Sequence, residues 1–186
     1  MKHIMKSAIF KGSIIAAAVA TSQAVMAQDG VIYFTGAIVD QTCTINGGTP
    51  DLTVDMGSAS RNALAAAGNT SGGTSFAIDL TACTADTPVR TRFLMDGGVD
   101  LASGEVKTDN TGGGGDALRI RLYNAADAAG IPIKIGSSGD QGSSNVNIVG
   151  GAARLEYVAK FVRTASAAPL GVGPVTGRVA YELSYN

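Results

Sequence analysis

The feature that most limits what this chain can fold into is a short alternation of apolar and polar residues, repeated along its length and interrupted by Gly, Ser, Asn and Asp. It recurs in DLTVDM (51–56), TSFAIDLTAC (74–83), RTRFLMDG (90–97), ALRIRLYN (117–124), IPIKIG (131–136), RLEYVAKFVR (154–163) and GRVAYELSYN (177–186). A period of two lines one face of an extended backbone with apolar side chains, and runs this short between turn formers favour strands over helices. Seven of them in one small chain predict an antiparallel β-sandwich. Only SASRNALAAAG (58–68) has a helical look, with Ser58 or Ser60 as cap and Gly68 as stop, which predicts a short turn or two.

The opening residues set the compartment. Lys2, Lys6 and Lys11 precede an apolar run from Ser13 to Ala20, and small residues at Val25 and Ala27 stand before the polar Gln28. That order predicts a secretory signal peptide over 1–27, cleaved after Ala27, because the run falls short of the roughly 20 apolar residues a membrane span needs. Loss of three lysines leaves 11 basic against 15 acidic residues in 28–186, a net charge of 11 − 15 = −4. No basic footprint for nucleic acid exists. Cys43 and Cys83 are the only cysteines, and an even count in an exported chain predicts one disulfide.

The same residue inventory argues against catalysis. The one histidine, His3, lies in the leader, which removes Ser-His and Cys-His pairs and most zinc chemistry from the exported chain. Neither a metal site nor a cofactor motif is expected. Asp96, Asp100 and Glu105 fall in a turn-rich stretch and read as solvated loop charge rather than an acid/base pair. Gly112–Gly115 are followed by Asp116 rather than by Lys-Ser or Lys-Thr, so they read as a flexible loop between strands and not as a phosphate cradle. Asp109, Asn110 and Asp116 lack the spacing of a calcium loop. Asn69-Thr70-Ser71 meets the glycosylation sequon but reads as a polar loop tip.

The two ends of the exported chain are informative together. At the C-terminus Val179, Tyr181, Leu183 and Tyr185 share one phase, with Arg178, Ala180, Glu182 and Ser184 on the other. Near the start Ile32, Phe34, Gly36 and Ile38 share a phase, opposite Val31, Tyr33, Thr35, Ala37 and Val39. One reading is an ordinary first strand with a glycine at a bulge. The other is a strand made for a different molecule, with Gly36 filling a place where no side chain fits.

Several ordered landmarks bear on that choice: IYFTGAI (32–38), Cys43 five residues beyond Ile38, Cys83 forty residues later, LRIRLYNAADAAGIPIKIG (118–136), and KFVRTASAAPLGVGPVTGRVAYELSYN (160–186) with Gly173 fourteenth from the end and Tyr185 penultimate. In this order the chain resembles the structural subunits (pilins) of bacterial chaperone-usher fimbriae, especially the type 1 major fimbrial subunit. The resemblance implies an all-β, incomplete immunoglobulin-like β-sandwich lacking its final strand, completed by a donor strand from a chaperone or a neighbouring subunit. It implies a donor-strand extension over 28–40 and a pilin domain over 41–186, with Ile32, Phe34, Gly36 and Ile38 as the donor face. Gly173, Val179, Tyr181, Leu183 and Tyr185 become the acceptor groove and chaperone edge. The Cys43–Cys83 bridge would tie the first strand into the sheet.

The implied partners are other copies of the chain and related pilins joined head-to-tail, a periplasmic pilus chaperone, an outer-membrane usher, and a tip adhesin or adaptor. The implied destination is a fimbrium at the cell surface, reached through the periplasm. Burial of three large donor side chains would contribute about 5 to 9 kcal/mol before ordering costs. A minor adaptor pilin of the same fibre and a monomeric exported β-sandwich binding module are the alternatives; a carboxylate hydrolase has no assembled site behind it.

Overall fold

The computed structural model describes residues 32–33, 35, 42–137 and 139–185. The chain divides into two units, Met1–Ile38 and Val39–Asn186, and every strand among the described residues lies in the second. The 1–27 leader and the donor-face residues Phe34, Gly36 and Ile38 lie outside the described residues; Ile32 and Tyr33 are described, and both are exposed.

In chain order the strands are β1 (Thr44–Ile45), β2 (Thr70–Thr81), β3 (Pro88–Phe93), β4 (Val99–Asp100), β5 (Glu105–Lys107), β6 (Asp109–Asn110), β7 (Leu118–Asn124), β8 (Val146–Asn147), β9 (Ala153–Arg163), β10 (Val175–Thr176) and β11 (Tyr181–Tyr185). One sheet has the order β1-β2-β9-β7-β5-β4, a second β11-β3-β8, and β10 pairs with β6 as a short ribbon. Every ladder is antiparallel. The chain is thus an all-β sandwich.

Alternation explains which side of each strand faces in. Phe76, Ile78 and Leu80 of β2 and Leu155, Tyr157 and Ala159 of β9 meet Val89 and Phe93 of β3 in one apolar core. At its centre the Tyr157 ring lies 5.5 Å from Phe76 and 5.4 Å, edge-on, from Phe93. The Tyr157 hydroxyl is satisfied by the Ser143 hydroxyl at 3.1 Å, which lets a polar atom sit in this interior. Phe93 ends β3 with its N–H and C=O bound to the Gln141 side-chain amide at 3.0 and 2.8 Å, a side chain standing where a strand would pair.

The Cys43–Cys83 disulfide joins the end of β1 to the end of β2 beside the Thr44–Thr81 pair. After Ile45 the chain leaves this sheet abruptly. Asn46 and Gly47 adopt left-handed backbone conformations, and the Asn46 side-chain oxygen accepts the Asp79 N–H at 2.8 Å, at the next ladder position. A short polar side chain and a glycine tolerate that conformation, which larger residues resist.

Two expected strands are not formed. DLTVDM (51–56) has no ladder partner among the described residues, although its alternation is intact. IPIKIG (131–136) retains only an isolated bridge from Ile133 to Leu122; Pro132 has no N–H to give to a ladder, yet Ile133 and Ile135 are still buried. SASRNALAAAG forms turns, with Ala63 and Leu64 donating to the carbonyls of Ser60 and Arg61, and Leu64 is buried beneath them.

Candidate functional site: an open groove beside the last strand

β11 is an edge strand. Its inner edge pairs with β3 from Tyr181–Phe93 to Tyr185–Val89. The Leu94 N–H donates to the Ala180 carbonyl at 2.8 Å, which identifies 180 as a position that bonds towards β3. Because antiparallel ladders alternate, the N–H and C=O groups of Tyr181, Leu183 and Tyr185 point to the other edge. No strand among the described residues pairs with that edge.

Across from this edge runs the 50–56 segment, and between the two lies a cavity of about 580 Å³. One wall is 50–56, with Leu52, Val54 and Met56; the other is 177–183, with Val179, Tyr181 and Leu183; the floor includes Phe76, Ile78, Ile120 and Leu122. The Tyr181 hydroxyl donates to the Pro50 carbonyl at 2.6 Å, linking the two rims. Burial, and secondarily the Asp51 carboxylate, push the Tyr181 phenol above its ordinary range. Burial raises Tyr185 in the same way.

The groove continues past Met56 into a second cavity of about 640 Å³, where Leu64, Leu118 and Phe161 meet the 170–175 stretch. Val54 and Met56 line both cavities, so the 50–56 wall runs from one into the other. Of the residues expected at the acceptor groove, Val179, Tyr181 and Leu183 line the near cavity and Gly173 lines the far one. Tyr185 packs against the core but lines neither cavity.

Residues 50–56, Leu64, Leu118, Phe161 and Leu170 were not anticipated as groove residues. The unpaired alternation of 51–56 was the available signal for the first wall. Nor is the glycine run loose. A Cβ on Gly112 would overlap the Val172 carbonyl oxygen, and one on Gly114 would overlap that of Pro169. Gly112 and Gly114 are glycine because two backbones touch there, whereas Gly113 has open space around it and adopts a left-handed φ of 90° that favours glycine.

The result defines a class of protein: a β-sandwich one strand short, whose last strand offers free hydrogen-bonding groups above an apolar floor, as strand-addition modules do. Residues 32–186 match the family described as Fimbrial protein, and the chain belongs to that family. It is 37% identical over 164 residues to the major fimbrial subunit SMF-1 of Stenotrophomonas maltophilia, covering 86% of this chain and 94% of that one. It is 33% identical over 176 residues to the F17 fimbrial protein of Escherichia coli, covering 90% and 93%. Among solved structures it is similar to the P pilus rod subunit PapA, with a TM-score of 0.57 at 21% identity over 77% of this chain and 99% of that one. A chaperone-usher pilus structure gives the same TM-score at 22% identity over 86% and 96%. The fold is therefore the incomplete immunoglobulin-like sandwich of pilins.

Proposed function

We propose that this chain is a structural pilin subunit that polymerises by donor-strand exchange, the 28–40 segment of one copy entering the groove of the next. The observation that carries this reading is the unpaired β11 edge facing the unpaired 50–56 wall across an apolar floor. An added strand satisfies the outward N–H and C=O groups of Tyr181, Leu183 and Tyr185, which supplies affinity independent of sequence. The alternate side chains Ile32, Phe34 and Ile38 enter the groove and select the register, and Gly36 occupies a shallow position.

The contact is head-to-tail and does not close on itself, so it propagates into a fibre at the cell surface. Before assembly the open groove is an exposed apolar patch beside a free edge, an aggregation hazard that a periplasmic chaperone covers and an outer-membrane usher transfers. A tip adhesin or adaptor ends the fibre, and the shaft role of this chain is structural, not enzymatic. The monomeric-module reading has no observation of its own in its favour.

The test compares 28–186 with 41–186. A synthetic 28–40 peptide is expected to stabilise 41–186 by about 2.7 kcal/mol at a hundredfold excess over its Kd, and the Gly36→Val peptide is expected to give no stabilisation. The reading fails if 41–186 is unfolded and unrescued while 28–186 is a stable monomer that never polymerises.

A further inference from the structure

The 50–56 wall of the near cavity is held by few contacts. It has no ladder partner among the described residues, and the hydrogen bonds at its two ends are local. The Thr49 N–H donates to the Asn46 carbonyl at 3.3 Å, and the Gly57 N–H to the Asp55 carboxylate at 2.9 Å. Met56 fixes one end of the wall by packing against both apolar clusters. At the other end a single bond crosses the groove, from the Tyr181 hydroxyl to the Pro50 carbonyl at 2.6 Å. Among the described residues no other hydrogen bond ties 50–56 to the rest of the sandwich.

That bond spans the mouth of the groove and not its bottom. Pro50 is exposed and Tyr181 half-buried, whereas Ile78 and Leu122 of the floor are 1% and 4% exposed. A side chain that enters from solvent and reaches the floor has to pass the bond. An added strand also runs about 4.8 Å from β11, in the interval that the Tyr181 side chain crosses on its way to Pro50. The residue of that strand opposite Tyr181 carries its Cβ about 5 Å away on the same face, towards the space the ring fills.

We propose that the Tyr181–Pro50 bond is a latch across the empty groove, which opens when a second copy of this chain seats its donor strand. This inference rests on the donor-strand reading above. The latch steadies the unladdered wall while the groove is empty, and it opposes entry of the strand. Opening it strands no polar group, because water reaches the Pro50 carbonyl. A bond present in the empty chain and absent from the filled one weakens donor binding by its own equilibrium factor, so its removal strengthens binding by that factor. The net worth of one hydrogen bond makes the factor roughly two- to tenfold.

The experiment uses the 28–186 chain carrying Gly36→Val, so that its own donor segment does not compete, and titrates it with a labelled natural 28–40 peptide. Adding Tyr181→Phe keeps the ring and removes only the hydroxyl. The peptide is expected to bind roughly two- to tenfold more tightly and to associate faster, while the urea midpoint of the peptide-free chain falls. Thr164→Val, added to the same Gly36→Val chain, removes a hydroxyl that donates to the Asp116 carbonyl at 2.7 Å, outside both cavities. It is expected to lower the midpoint but leave affinity and association rate unchanged.

Unchanged affinity in Tyr181→Phe would mean that the bond persists beneath the seated strand, and weaker binding that it shapes the groove to receive one; either would overturn the latch. So would an equal gain in Thr164→Val, since general loosening would then account for the effect. Failure of the peptide to bind the chain that carries Gly36→Val alone would instead overturn the donor-strand reading beneath it.

Discussion

Removal of the Cys43–Cys83 bridge by the paired change to alanine tests how the groove's first wall is held. The bond closes a loop of 40 residues. In the chain-entropy account that closure removes about 13 cal/mol/K from the unfolded ensemble, or about 4 kcal/mol at 25 °C. With a urea m-value of about 2 kcal/mol/M, the midpoint of unfolding should fall by about 2 M. The same result is expected on reducing the unaltered chain, since both remove the same constraint. The bond also anchors β1 immediately before the turn at Asn46 from which the 50–56 wall departs. Peptide affinity should therefore fall along with stability, whereas loss of a remote constraint would lower stability alone. A midpoint shift below about 0.5 M, roughly 1 kcal/mol, would refute the loop-closure reasoning, and unchanged peptide affinity would refute the link to the wall.

Other expectations follow from single contacts. Tyr181→Phe removes the hydroxyl donated to Pro50 across the groove and should cost about 0.5 to 1.5 kcal/mol in urea unfolding. Leu155→Ala, at a fully buried position of β9, should cost about 2 to 5 kcal/mol through the cavity it leaves. Burial acts to raise the Asp100 carboxyl, but the N–H groups of Ser103 and Ala102 and the Arg119 guanidinium outweigh it and hold it below its ordinary 3.8. A lowered folded-state value stabilises above the unfolded pKa and is lost as pH falls through the folded one. Melting temperatures of the unaltered chain and Asp100→Asn should differ at pH 6, and the difference should shrink as pH falls below 3.8 and through the lower folded-state value.

The parts of the fold that were legible in the sequence are those whose signal is local. β2, β7, β9 and β11 carry clean alternation over five residues or more, and the burial of Ile78, Leu80, Leu155 and Tyr157 follows from it. The cysteine pair was legible because an exported chain with two thiols has one way to pair them. Short strands such as β4, β6 and β8, of two residues each, exist only through tertiary contact and leave no period to read. The 51–56 stretch misled for the opposite reason: its alternation is real, but it has no ladder partner among the described residues. Gly112–Gly115 misled because a glycine run is locally indistinguishable from a loose loop. The reason for Gly112 and Gly114 lies in Pro169–Gly173, brought against them by the fold. One wall of the near cavity was therefore visible as the phase of Val179, Tyr181 and Leu183, and of the far cavity only Gly173 was named.

Amide hydrogen exchange along β11 tests the central claim most directly. The Glu182 and Ser184 N–H groups point to β3, and those of Tyr181, Leu183 and Tyr185 point to the open edge. On addition of excess 28–40 peptide to the 41–186 chain, which has no donor segment of its own, exchange at Tyr181 and Leu183 should slow by at least tenfold, with little change at Glu182 and Ser184. Protection that leaves Tyr181 and Leu183 unchanged, or that appears instead on the free edge of β8, would contradict strand addition at this groove.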